Sequence, residues 1–132
     1  MAQKYIIGDL VRYTSLYKEP IAEICEVRET SYFIRFMNGN FAKVTSQEIK
    51  PIPLTQEILE KNGWKKRTRV CCDGEHLEDF SNPSSPLEHF AIAFMEKGIK
   101  ATYDCLLVRE VKYVSDLQHL LFGLGLNSEM EV

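Results

Sequence analysis

The chain has 132 residues, 45% of them hydrophobic and 27% charged, with a net charge of −3; that is enough for one good core, or for two small ones sharing an interface. A dedicated duplex-DNA binder carries an excess of Lys and Arg to neutralise phosphates, so this balance disfavours that class and leaves only a local basic patch in play. No apolar run is long enough for a signal-peptide core or a membrane span, so a cytoplasmic protein with no membrane partner is expected and the four cysteines fall in a reducing compartment.

In chain order, Ile6, Leu10 and Val11 flank Gly8-Asp9 and open a series of short strands. Ile21–Val27 places Ile21, Glu23, Cys25 and Val27 on one face and Ala22, Ile24 and Glu26 on the other, so it is apolar on most of both sides. A turn at Arg28–Ser31 leads into Tyr32–Phe36, rich in β-formers. Asn38-Gly39-Asn40 makes a hairpin turn into Phe41–Val44, because Asn and Gly tolerate positive φ. Ser46–Glu48 reads as a one-turn helical link and Ile49–Ile52 as a fifth short strand.

Thr55 is a natural N-cap for a short helix, with Leu54 and Leu59 at staple spacing and Asn62-Gly63 as its stop. Beyond Trp64 the pattern weakens. Lys65–Cys72 reads as a strand, Asp73-Gly74 as a turn and residues 75–86 as a surface loop rich in Pro and Ser. Residues 87–96 alternate as a strand, with a helix capped near Ser85-Pro86 as the rival. Gly98 turns the chain into one long strand, Ile99–Val111, able to bend or carry a bulge. Ser115 with Gln118 forms a capping box for a last helix bearing Leu117, Leu120, Leu121 and Leu124, stopped by Gly125 and followed by a frayed acidic tail at 128–132.

Four strands, a one-turn link and a fifth short strand resemble the layout of an SH3-like barrel, and Gly8-Asp9-Leu10-Val11 resembles the first strand of Tudor and KOW barrels. The expected fold is therefore α+β. An SH3-like β-barrel module spans residues 1–53; residues 54–132 supply a helix, a small antiparallel hairpin sheet and a C-terminal amphipathic helix packed on it, sharing a core with the barrel. Two further segments carry a second resemblance: Lys50-Pro51-Ile52-Pro53-Leu54-Thr55 running through Glu57 and Leu59 to Gly63-Trp64, and Val111-Lys112-Tyr113-Val114 running through Leu117-Gln118 to Phe122. Together they resemble small proteins of Bacteroidetes phages, prophages and mobile elements. Trp64 stands where that family has Phe, and Ser115-Asp116 where it has His-Gln. The resemblance implies a mobile-element context such as host takeover or counter-defence in the host cytoplasm, and no catalytic residues.

The run Lys61–Arg69 gathers five basic residues around one Trp. Trp64, Lys65, Arg67 and Arg69 are candidates for phosphate contact with indole stacking; a solvated helix end with Trp64 in the core is the commoner use of such a run. In the barrel, Tyr13, Tyr17, Tyr32 and Arg35 are candidates for an aromatic-lined binding surface. Alternation puts Tyr32, Ile34 and Phe36 on one face and Phe33 and Arg35 on the other, and one of these sets must be core.

Cys71, Cys72, Asp73 and His76 do not make a zinc set, because no second Cys or His pair stands at ligand spacing. Cys25 and Cys105 read as small core residues. No phosphate-binding glycine loop, nucleophile elbow or zinc-protease motif is present, which argues against an enzyme, a metal or a cofactor. The function expected first is a non-catalytic binding protein, in a homo-oligomer, that takes a host protein or a small anionic, nucleotide-like ligand. A nucleic-acid accessory module and a Cys/His-dependent enzyme are the alternatives.

Overall fold

The computed structural model describes residues 5–70, 74, 76–83, 86, 89–103 and 106–132, without the side chains of Arg69 and Leu77. Cys71, Cys72, Asp73 and Cys105 lie outside the described residues, and the thiol and metal readings of residues 71–73 lie there with them. In chain order the elements are β1 (Leu10–Tyr13), β2 (Ile21–Val27), β3 (Tyr32–Phe36), β4 (Phe41–Val44), β5 (Ile49–Pro51), α1 (Gln56–Lys61), β6 (Lys65–Val70), β7 (His76–Ser81), β8 (Phe90–Met95), β9 (Gly98–Tyr103), β10 (Leu106–Glu110) and α2 (Val114–Gly123). They form two compact units, residues 1–53 with 113–130, and residues 54–112 with 131–132. Among the described residues no helix is long and apolar enough to cross a membrane.

The first unit is built on an antiparallel sheet of order β4-β3-β2-β1-β5. Its core side carries Val11, Ala22, Ile24, Ile34, Val44 and Ile49, all at most 3% exposed. Each large member contributes roughly 2 kcal/mol by leaving water. Val44 on one edge strand and Ile49 on the other belong to the same cluster, so the sheet coils about its own core.

The coil does not close. No ladder joins β4 to β5, so the expected closed SH3-like barrel is corrected to an open sheet. The reason is local. β5 has three residues, committed to β1 through Val11↔Pro51, Arg12↔Lys50 and Tyr13↔Ile49. Pro51 has no N–H to give, and the Thr45 N–H at the end of β4 is taken by Glu48 Oε1 at 3.0 Å. Cys25, expected in the core, is half-buried, its thiol donating to Phe33 O at 3.2 Å.

α2 packs on β1 rather than on the second sheet, where the sequence places it. Its capping box is Tyr113 with Asp116, two residues before the expected Ser115 with Gln118. Asp116 Oδ2 accepts from the Tyr113 N–H at 2.9 Å, and Ser115 is buried inside the first turn. Gln118 does no capping at all. Its Oε1 accepts from Leu10 N–H at 3.0 Å, and its Nε2 donates to Gly8 O at 2.9 Å and Ser128 O at 3.2 Å. The stop is as expected: Gly125 has φ +73°, its N–H reaches Phe122 O (3.0 Å), and Leu126 N–H reaches Leu121 O (2.9 Å), a Schellman closure.

The second unit is a meander, β10-β9-β8-β7-β6, entered through α1. Thr55 Oγ1 accepts from Ile58 N–H at 3.2 Å, as its N-cap position predicts. The expected loop over 75–86 contains β7, paired with β6 from Lys65↔Ser81 to Val70↔His76. The expected single strand Ile99–Val111 is two strands folded on each other, with Tyr103 opposite Leu106 and a register shift between Leu107 and Arg109. With ten strands among the described residues, two sheets and two short helices, the chain is mostly β, not α+β. The tail is tied rather than frayed at its end: Glu131 N–H donates to Asn62 Oδ1 (2.8 Å) while Asn62 Nδ2 donates to Glu131 O (2.7 Å).

Candidate functional site

An open groove of about 740 Å³ lies in the first unit between the β1–β2 loop and the β3–β4 hairpin. Leu16 and Pro20 come from the loop, Ile21 from the start of β2, and Phe36, Met37 and Phe41 from the hairpin, with Asn38 and Asn40 completing the lining. Met37 is 71% exposed, Phe41 65% and Leu16 52%. A cluster of large apolar side chains left in water around one depression is a feature that interaction surfaces share.

Each wall is held by local chemistry. In the loop, Tyr13 N–H donates to Pro20 O (2.9 Å) and Glu19 N–H to Leu16 O (3.0 Å). Glu19 sits at φ +43°, a left-handed conformation that costs a non-glycine residue about 1 kcal/mol. Its carboxylate stands 3.6 Å from Arg12 Nη1, an exposed pair that offsets little of this. At the base, Thr14 N–H and Oγ1 both donate to Glu48 O (2.8 and 3.0 Å). In the hairpin, Gly39 supplies φ +89°, its N–H donating to Phe36 O (2.9 Å) while Phe36 N–H donates to Asn40 O (2.8 Å).

That last bond fixes the ladder of β4. Hydrogen-bonded pairs recur every second residue, so Ile34/Ala42 and Tyr32/Val44 exchange bonds in the register Ile34↔Ala42, Tyr32↔Val44. The peptide groups of Phe41 and Lys43 therefore point away from β3, along the outer edge of the sheet. Asn40 N–H is satisfied by Asn38 Oδ1 (3.0 Å) on one side of this stretch and Thr45 N–H by Glu48 on the other.

A second polar constellation joins α2 to the turn before β1. Asp9 is 1% exposed; its Oδ2 accepts from Ile6 N–H at 2.9 Å and lies 2.6 Å from His119 Nε2. Burial pushes the Asp9 carboxyl above its ordinary range, and the Ile6 N–H and His119 only partly counter this. Burial, then the neighbouring Tyr32, Asp9 and Tyr113, push the Tyr5 hydroxyl up to about 12. This cluster is structural: it keeps a carboxylate and an imidazole in contact to hold the helix on the sheet. Among the described residues no group of three or more His, Cys, Asp or Glu is placed to hold a metal.

The residues singled out from the sequence divide between the two units. Tyr13 meets Phe36 edge-on at 5.6 Å and Tyr32 meets Tyr5 at 5.6 Å, so both rings are packing partners of the core. Arg35 is paired with Glu23 at 2.7 Å. Tyr17 is fully exposed beside Leu16. In the second unit Trp64 is 4% exposed and packs edge-on to Phe90 at 6.2 Å, which leaves no face for a base. Arg67 Nε donates to the buried Asp79 Oδ1 at 2.8 Å, and Lys66 pairs with Glu78 at 3.3 Å. Lys65 is exposed, and the side chain of Arg69 lies outside the described residues. Sequence reasoning missed Leu16, Met37 and Phe41. Their signal was the placing of Met37 and Phe41 on either side of Asn38-Gly39-Asn40, where a hairpin leaves apolar flanks at a sheet end.

Comparison with protein-family models, curated proteins and solved structures finds no match.

Proposed function

We propose that the protein is a non-catalytic binding protein whose first unit holds an extended apolar segment of another protein in the groove between the β1–β2 loop and the β3–β4 hairpin. The observation that carries this reading is the make-up of the walls: six apolar side chains and two amides, with no Lys, Arg or His. A phosphate placed there finds no counter-charge, so the groove gives the small-anion reading no support. An apolar side chain placed there exchanges water for contact, gaining roughly 25 cal/mol per Å² buried. The basic run at 61–69 does not rescue a nucleic-acid reading, since Trp64 is core and Lys66 and Arg67 are engaged with acidic neighbours. The resemblance of the 50–64 and 111–122 segments to mobile-element proteins makes a host protein the expected partner, bound in host takeover or counter-defence.

The test is selection of random displayed peptides on the full chain, repeated with a Leu16→Ser, Met37→Ser, Phe41→Ser variant. All three residues are exposed, so the variant keeps the melting temperature of the parent. Enrichment of apolar peptides by the parent, lost in the variant, is the expected result. Failure to enrich any peptide, equal enrichment by the variant, or a rise in melting temperature with nucleotides alone overturns the reading.

A further inference from the structure

The groove ends at Phe41, and Phe41 also begins the free edge of the sheet. Resting on the binding reading above, we infer that the bound segment adds to β4 as an extra strand, and that it carries a large apolar residue and, two positions away, an acidic one. β4 is terminal in its sheet, and among the described residues no strand pairs with its outer side. The ladder parity turns the N–H and C=O of both Phe41 and Lys43 outward, four groups spaced for the main chain of an incoming strand.

The outward parity continues to Thr45, whose N–H is satisfied by Glu48 Oε1 of the same unit at 3.0 Å. Edge strands are commonly protected by such devices; here the protection stops short of Phe41–Lys43.

Side-chain chemistry selects the occupant. Residues paired across a ladder point to the same face, so the incoming residue beside Phe41 meets a ring 65% exposed and continuous with the groove. The incoming residue beside Lys43 meets an exposed ammonium that makes no ion pair among the described residues. Two neighbouring cations are already held, Arg35 by Glu23 and Arg28, which lies over the Phe33 ring, by Glu26. A carboxylate next to Lys43 answers the one charge on the strip without a partner in this unit, and the two positions lie two residues apart on the added strand whichever way it runs.

The experiment uses blocked threonine-rich glutamate peptides with Leu-Thr-Glu or Glu-Thr-Leu at their centre, one order for each strand direction, and lysine counterparts with Lys in place of Glu, titrated into the full chain with amide hydrogen exchange as readout. One of the two glutamate peptides is expected to bind and to slow exchange at Phe41 and Lys43. Lys43→Pro deletes an outward N–H without touching the β3 ladder, and is expected to weaken binding about tenfold. Lys43→Glu, a milder change for folding, is expected to weaken binding of the glutamate peptide about fivefold and to favour the lysine peptide. Binding that leaves both amides of the parent exchanging at the free rate, and that Lys43→Pro does not weaken, overturns strand addition while the groove reading stands. Binding of no peptide in either order, or equal binding of the glutamate and lysine peptides, overturns the inferred partner chemistry, and the peptide selection above then decides the groove reading by itself. Protection of Phe41 and Lys43 that rises with protein concentration in the absence of peptide assigns the edge to a second copy and also overturns it.

Discussion

The Asp9 carboxylate and the His119 imidazole meet at 2.6 Å across a separation of 110 residues, and the carboxylate is almost fully out of water. His119→Ala leaves that buried charge with the Ile6 N–H alone, so it is expected to cost about 2 kcal/mol in urea unfolding at neutral pH. Asp9→Asn keeps an acceptor for Ile6 and removes the charge, and is expected to cost less than His119→Ala.

The same pair sets a pH dependence. A carboxyl whose folded pKa lies above its ordinary 3.8, as burial imposes on Asp9, stabilises the fold while protonated. That contribution is fully present below the unfolded value and is lost as pH rises through the folded one. Unfolding measured from about pH 3 to about pH 6 should therefore show Asp9→Asn gaining on the parent as pH rises, and the gain levelling off above the folded pKa. A constant difference across the range counts against a raised Asp9.

Gln118 is the most exacting polar residue of α2, because it both accepts from Leu10 N–H and donates to Gly8 O. Gln118→Leu strands both backbone groups and is expected to cost about 3 kcal/mol. Gln118→Glu keeps the acceptor, loses the donor and brings a carboxylate towards Gly8 O, so it should destabilise as well. Faster exchange of the Leu10 amide in both variants is the direct check.

Trp64 is the sole tryptophan, so its fluorescence reports one site. At 4% exposure against Phe90, its emission should be blue-shifted and poorly quenched by iodide, and unmoved by single-stranded oligonucleotides. Trp64→Ala should cost about 3–5 kcal/mol, as core truncations of large aromatics do, whereas Lys65→Ala should change stability by no more than about 0.5 kcal/mol.

Glu19 holds its left-handed backbone without the help of a glycine. Glu19→Gly relieves about 1 kcal/mol of strain and forfeits an exposed pair with Arg12 worth less than that. The expected outcome is a small rise in melting temperature, accompanied by weaker peptide capture because the Leu16–Pro20 wall loses its fixed turn.

Where the chemistry of a feature is local, the sequence reveals it. Asn38-Gly39-Asn40 marks the hairpin, Thr55 the start of α1 and Gly125 the end of α2, since each acts within a few residues of itself. β7 escaped notice because one of its inward positions is Asp79, a charge that is tolerable there only once Arg67 on another strand meets it. Gln118 was read as a cap partner because its real partners lie at the other end of the chain. Closure of the first sheet was beyond reach for the same reason: alternation tells which residues face a core, and cannot tell whether two edges will bond. The apolar groove was not legible: the aromatic surface expected at Tyr13, Tyr17, Tyr32 and Arg35 contributes no residue to it, Tyr13 and Tyr32 pack on the core, and Met37 and Phe41 take the surface.

The bridge between Pro53 and Tyr113, with Val114 N–H donating to Ile52 O at 2.8 Å, brings together the two points where the chain leaves and rejoins the first unit. During synthesis this reverses the usual order of completion, in which the segment made first folds first. The second unit can settle once Lys112 has left the ribosome, apart from its two terminal residues, while β1 waits for Gln118 and His119. A chain truncated after Lys112 and held on the ribosome by an unrelated linker long enough to clear the exit tunnel should therefore display a protease-resistant second unit beside a first unit that is still open to cleavage.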